Sequence, residues 1–263
     1  MLVDVHNHFS FYQEDINRAL EDIHENRVLM LSVSTDMLSY NETLELAGLS
    51  QFILPAFGVH PMFAHEHIDQ LDTIKRIADE ALMLGEIGLD RKWTLDASHY
   101  PLQESLLEIF LESAQQHDTI MILHVAEAEF EVLDMLEQYS IRNGIIHDYY
   151  GPIDLVEKII DKDLYFAFDG SYLKSYESEI RGWKERLETV TMIPDDLFLI
   201  ETDGPSGSPR RMPHEALQMV AERIAEIRNT TADEITTQSS RNFFNLIKDD
   251  ARLSEYIAIM KQS

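Results

Sequence analysis

The chain has no cysteine, which excludes a disulfide framework, a thiolate metal site and a cysteine nucleophile. Proline and glycine are sparse, 8 and 10 among 263 residues, and no Pro-, Gly- or Ser-rich stretch marks a linker. Internal repeats and low-complexity tracts are absent too. No apolar run approaches the ~20 residues that span a bilayer, and Leu2 to Val5, interrupted by Asp4, is too short for a secretory segment. Positive charge is the scarcest commodity: 21 Lys+Arg face 48 Asp+Glu, a formal charge of −27. That balance argues against a broad nucleic-acid face, although bound divalent cations could reverse the sign locally. The bland reading of the charge is solubility. These absences together favour a cytoplasmic protein of one domain with no membrane contact.

What is present is an alternation. Short apolar, β-branched runs cover Leu2 to Val5, Val28 to Val33, Phe52 to Val59, Met83 to Ile87, Ile120 to Leu123, Gly144 to Ile146, Leu164 to Phe168 and Leu197 to Ile200. Between them lie segments with apolar residues at i, i+3, i+4 and i+7, such as Ile68 to Leu82, Pro101 to Gln116, Glu127 to Tyr139 and Ile153 to Ile160. The tail from Met212 to Met260 reads as helix broken near Asn229 to Ala232, where Thr231 through Glu234 forms a capping box. Strands that alternate with helices in this way predict an α/β protein, a (β/α)8 TIM barrel with C-terminal helices.

A barrel of this kind carries its chemistry at the C-terminal ends of its strands. Ionisable residues gather there: His6 and His8 after the first run, His60 after the third, Glu86 at the end of the fourth, His124 after the fifth, His147 after the sixth and Asp203 after the eighth. Two residues apart on a strand, His6 and His8 share a face and could ligate one ion. Spacing alone proves little, because "HEH" at His65 to His67 repeats it in a polar stretch. Six candidate ligands exceed what one tetrahedral zinc accepts, but two ions about 3.5–4 Å apart and bridged by Glu86 would use them all. Imidazole-rich ligation favours zinc, manganese or iron over magnesium alone. His24, His65, His67, His99, His117 and His214 have no second ligand in register and read as surface or capping residues, and the Met-containing "VLMLSV" reads as core.

"VDVHNH", "FGVHP", "GEIGLD", "ILH", "IIH", "ETDGPSGSP" and "NFFNLI" follow in the order and spacing of the TatD family of metal-dependent hydrolases, which the chain resembles from residue 2 to about 247. The resemblance implies two divalent ions (Zn, Mn, Mg or Fe), with His6 and His8 on one, His124 and His147 on the other and Glu86 between them. It gives Asp203 the roles of ligand and base, and implies hydrolysis of phosphate esters, single-stranded DNA ends by family habit. His60 matches a family residue beside the metals and is a candidate phosphate contact.

Two departures bear on the substrate. The family usually carries an Arg two residues after the fifth-strand histidine, where this chain has Ala126 followed by Glu127 and Glu129. After the sixth strand the chain reads "HDYYGP", which sets Asp148 beside a ligand and offers Tyr149 and Tyr150 for stacking on a base. Candidate replacement cations are Arg91 and Lys92 in "GLDRKW" and Arg210 and Arg211 in "GSPRR". Competing readings are a small-molecule amidohydrolase or esterase, and a metal-binding scaffold without turnover. Glu86, where many binuclear amidohydrolases use a modified lysine, speaks against the first, and Asp203 against the second.

Overall fold

The structure, a computed structural model, describes residues 1–169, 183–205 and 211–262. Its eight strands are β1 (Leu2–Asn7), β2 (Val28–Val33), β3 (Ile53–Phe57), β4 (Met83–Asp90), β5 (Met121–Ala126), β6 (Gly144–His147), β7 (Tyr165–Asp169) and β8 (Phe198–Glu201). They form one sheet in sequence order, every neighbouring pair parallel, rolled into a nearly closed barrel. Because both faces of such a sheet are covered, its strands carry near-continuous apolar runs, and all six residues of β2 are buried.

Two apolar layers follow from the period-2 alternation. One parity, including Met30, Phe57, Leu123, Phe166 and Phe198, packs against the outer helices through Ile23, Ile74, Phe110, Leu136 and Ile224. The other, including Val3, Val5, Leu31, Leu54, Ile122, Ile145 and Leu199, fills the barrel. Phe243, Ile247 and Leu253 join this second cluster, so the C-terminal segment plugs the barrel end opposite the strand C-termini.

The expected elements are present with shifted ends. β4 and β5 run on to Asp90 and Ala126, past the apolar residues that signal them, and β3 stops at Phe57, short of Val59. The segment from Ile68 starts as a 3-10 turn and becomes α-helix only over Leu71–Glu80. Helix in the Ile153 region is likewise confined to Val156–Ile160. Asn229, in the left-handed region, ends the helix Pro213–Arg228, and Thr231 with Glu234 caps Ala232–Ile247 as the capping box requires. The tail also breaks a second time: Asp250 accepts from the Arg252 N–H, and the last helix, Ser254–Lys261, starts afresh.

Along most of its length the seam between β8 and β1 is closed by side chains, with backbone bonds only beyond the end of β8. Over its lower part, Ile200 N–H donates to Ser239 Oγ (3.1 Å), and Asn242 Nδ2 donates to the carbonyls of Phe198 (2.7 Å) and Asp195 (2.6 Å). Ser240 Oγ donates to Met1 O (2.9 Å), so one helix stitches both edge strands. Near the mouth, the fully buried Asp4 carboxylate accepts from Thr202 Oγ1 (2.6 Å), Thr202 N (3.1 Å) and His6 N (3.3 Å). Thr202 Oγ1 in turn accepts from Asn7 Nδ2 (2.9 Å) and Gly204 N (3.2 Å). Removing one hydroxyl strips three contacts and leaves a buried carboxylate under-satisfied. Thr202→Val is therefore expected to lower stability by about 2–3 kcal/mol, read as a shift of the urea midpoint with an unchanged slope; a shift within error would show the clamp to be dispensable.

Candidate metal centre

His6 lies on β1, Glu86 on β4, His124 on β5 and His147 at the end of β6, while His8, His60 and Asp203 follow β1, β3 and β8 directly. All seven therefore stand at one end of the barrel, around a cavity of about 410 Å³ whose walls include His8, His60, Glu86, His124, His147 and Asp203. Ladder irregularities occur at two of the strands involved, between Asp4 and Asn7 on β1 and between Leu84 and Ile87 on β4. Such bulges re-aim side chains, and here they bracket His6 and Glu86. Glycine makes room for the second. A Cβ on Gly58 would sit 2.3 Å from Glu86 N, and one on Gly88, whose φ is +150°, would sit 1.9 Å from His124 O. Ser34 fixes the same stretch, since its carbonyl accepts from Glu86 N (2.9 Å) and its hydroxyl accepts from Gly58 N (2.9 Å).

The Glu86 carboxylate divides the imidazoles into two sets. Oε2 is 3.4 Å from His8 Nε2 and 3.6 Å from His6 Nε2. Oε1 is 2.8 Å from His124 Nδ1, 3.1 Å from His147 Nε2 and 3.4 Å from His60 Nε2. Asp203 Oδ1 completes the first set at 3.4 Å from both His6 Nε2 and His8 Nε2. Metal–ligand bonds of about 2.0–2.1 Å in a tetrahedron set ligand atoms roughly 3.4 Å apart, which is the spacing the first set already has. Both nitrogens of the fully buried His6 ring also lack a hydrogen-bond partner, a costly state that a metal–nitrogen bond would relieve. The donor set thus fits divalent cations; His6, His8 and Asp203, then His6, Glu86 and His147, and finally His60, Glu86 and His124, are groupings that could each hold one.

Electrostatics point the same way. Burial, reinforced by neighbouring His147, lowers His6 to about 4. For His8, burial is outweighed by the Asp203 and Glu86 carboxylates, which lift it to about 10. His124 and His147 are raised for the same reason, burial being overcome by Asp90 and Glu86 in one case and by Glu201 and Glu86 in the other. Glu86 and Asp203 are held below their ordinary range by the surrounding imidazoles despite burial. The buried carboxylates thus favour positive charge on His8, His124 and His147, and the same field favours a bound cation.

Two further carboxylates sit behind the imidazoles. Asp90 Oδ2 is 3.0 Å from His124 Nε2, and Glu201 Oε1 is 3.1 Å from His147 Nδ1, so each ring has a carboxylate on the nitrogen facing away from Glu86. Burial pushes Glu201 up to about 8, against the neighbouring His147, which favours its charged form. Such partners fix the tautomer and strengthen the ligand. Neither was singled out from sequence, although both stand at inward parity: Asp90 lies four residues after Glu86 on one strand, and Glu201 two before Asp203.

On the substrate side the expectations need correction. Arg91 does not enter the cavity: it bonds Gln103 Oε1 (3.0 Å) and Glu104 Oε1 (2.5 Å) and lies over the Tyr100 ring. Tyr149 is buried, its hydroxyl donating to Pro152 O (2.8 Å) and its ring edge-on to Phe166, which rules out stacking on a substrate. Arg210 lies outside the described residues. Asp148 is ion-paired with the buried Arg186, whose guanidinium covers the Tyr150 ring at 4.0 Å. His60 does line the cavity, and its Nδ1 accepts from Met62 N (3.2 Å). His65 and His99 stack on one another at 4.1 Å, away from the cavity walls.

The chain is 27% identical over 262 residues to the uncharacterized metal-dependent hydrolase YabD of Bacillus subtilis, a match covering 94% of this chain and 100% of that protein. Over 235 residues it is 29% identical to the 3'-5' ssDNA/RNA exonuclease TatD of Pantoea vagans, covering 82% and 88%. In fold it is similar to YJJV, a TatD homolog from Escherichia coli, with a TM-score of 0.81 at 23% identity and 93% and 97% coverage. Residues 3–248 match the description TatD related DNase, and the chain belongs to that family of metal-dependent hydrolases.

Proposed function

We propose that the protein hydrolyses phosphodiester bonds in DNA, trimming single-stranded ends in the 3'-5' direction with two divalent ions. The observation that carries the reading is the split of Glu86, one oxygen toward His6 and His8 and the other toward His124, His147 and His60. Two imidazole sets that share one carboxylate would suit a pair of divalent ions, and such a pair would supply charge stabilisation for a displacement at phosphorus. Imidazole-rich ligation favours zinc, manganese or iron. Ions held there would make water a nucleophile near neutral pH and neutralise charge on the phosphate oxygens.

The chain's own groups divide the remaining work. Asp203 is the most exposed of the ligand carboxylates, its side chain 36% accessible against 4% for Glu86. It is thus the carboxylate that can reach a water at the cavity mouth and take its proton, while Glu86 serves as a fixed bridge. His60 faces the same space with its Nε2 and can donate to a phosphate oxygen. Asp90 and Glu201 hold the His124 and His147 rings in place.

Four outcomes test this. Metal-loaded protein should release nucleotides from single-stranded DNA and cleave a chromogenic phosphodiester, and inactivity on both would refute the phosphodiesterase reading. Asp203→Asn should lower kcat by about 10²–10⁴-fold while metal content by emission spectrometry stays largely intact; unaltered turnover would remove Asp203 as base. Glu201→Gln should weaken metal binding about 10–100-fold in a competition titration with a chelating dye. Stripping metal with a chelator should also lower the melting midpoint, since loading at 100 times Kd stabilises by about 2.7 kcal/mol.

A further inference from the structure

We infer that Trp93, Lys92 and Tyr150 form a platform at the cavity rim that receives the nucleotide next to the scissile phosphate, Trp93 stacking on its base and Lys92 contacting its phosphate. The inference rests on the phosphodiesterase reading and adds the residues that would hold the unpaired nucleotide beside the scissile bond.

None of the described residues lining the cavity is Lys or Arg, and its volume of about 410 Å³ accommodates a group of roughly nucleotide size. A chain entering it must therefore leave its next nucleotide on the rim. Trp93 lines the cavity and is also 57% exposed, so its ring extends from the metal-side wall into solvent. An indole this open at the metal-side wall offers a ligand a large, rigid apolar face. Directly beside it stands Lys92, exposed, with its ammonium 4.6 Å from the Trp93 ring centroid and 4.8 Å from that of Tyr150. Among the described residues that ammonium meets no carboxylate. In a chain with a formal charge of −27, this is a conspicuous place for a cation with no acidic partner. Tyr150, itself 41% exposed, is steadied by Arg186 over its ring at 4.0 Å.

Exposed aromatic faces with an adjacent cation match an unpaired nucleotide, whose base offers a π-face of any sequence and whose phosphate offers a negative charge. A duplex keeps its bases stacked on each other and presents no such face. The platform therefore selects single-stranded ends without reading sequence.

The test compares a short oligothymidylate with the same sugar–phosphate chain made abasic beside the scissile bond, using metal-loaded enzyme. The wild type should show a KM for the intact chain about 10-fold lower than for the abasic one, together with quenching of tryptophan fluorescence by the intact chain alone. Trp93→Ala should collapse the KM ratio to about one and abolish the quenching, with Trp93→Phe restoring the ratio in part. Lys92→Gln should reduce the slope of log KM against log salt by about 0.7, and Lys92→Arg should restore it. Equal KM values for the two chains in the wild type, or a ratio that survives Trp93→Ala, would overturn the platform while leaving phosphodiester hydrolysis standing. If neither chain were cleaved, the hydrolytic reading would fail, and the quenching titration alone would decide the platform: quenching by the intact chain only supports it, and none overturns it.

Discussion

The seam between the first and last strands is the constraint on which the site depends. A barrel closed by a full ladder of backbone hydrogen bonds would fix β1 against β8 along its length, yet here the neighbouring-strand order runs from β1 to β8 with no ladder between the ends. The Asp4 carboxylate and the Thr202 hydroxyl replace it near the mouth, and two backbone bonds, Asp203 N to His6 O (3.1 Å) and His8 N to Gly204 O (2.7 Å), lock what lies above. These bonds join the same residues whose side chains converge on the first cation position. Closing the fold and assembling His6, His8 and Asp203 are one event. Burial pushes the Asp4 carboxyl up to about 7 against hydrogen bonds from Thr202 and His6, so the clamp is bought with desolvation.

From that seam the charge logic spreads outward. Glu86 and Asp203 face the imidazoles, while Asp90 and Glu201 stand behind two of them. Four carboxylates so close together, three of them buried, would repel each other were it not for positive charge between them. Protonated histidines offset part of that repulsion, and divalent cations offset more per site with better geometry. The acidic groups gathered inside the barrel are what would give cations their place.

The eight strands and the strand-end residues were legible because parallel strands in a barrel are buried on both faces and therefore stand out as apolar runs. The inner carboxylates were harder to see: Asp90 and Glu201 lie where the strand continues past its apolar signal, at positions a pattern of hydrophobicity assigns to a loop. The bulges on β1 and β4 were invisible, since register is set by partner strands and by close glycine contacts at Gly58 and Gly88 that no local pattern reports. The second break in the tail depended on Asp250 bonding to a residue two positions on. Propensity over a long helical window does not resolve so local a competitor.

The two corrected substrate residues share a cause. Arg91 and Lys92 leave β4 side by side, and Tyr149 and Tyr150 follow β6 side by side, so in each pair one side chain turns in and the other turns out. The sequence names both members without saying which is which. In the structure Arg91 is taken by Gln103 and Glu104 from the following helix, and Tyr149 by the core beside Phe166. Their neighbours Lys92 and Tyr150 are thereby left at the rim, 4.8 Å apart from ammonium to ring centroid. Ala126, small and nearly buried at the end of β5, brings no cation into the cavity. Positive charge has instead moved to the edge, where it meets aromatic faces rather than the metal-facing wall. A cation on the edge does not compete with divalent ions for the buried carboxylates, and it remains free to engage the part of a chain that the cavity is too small to enclose.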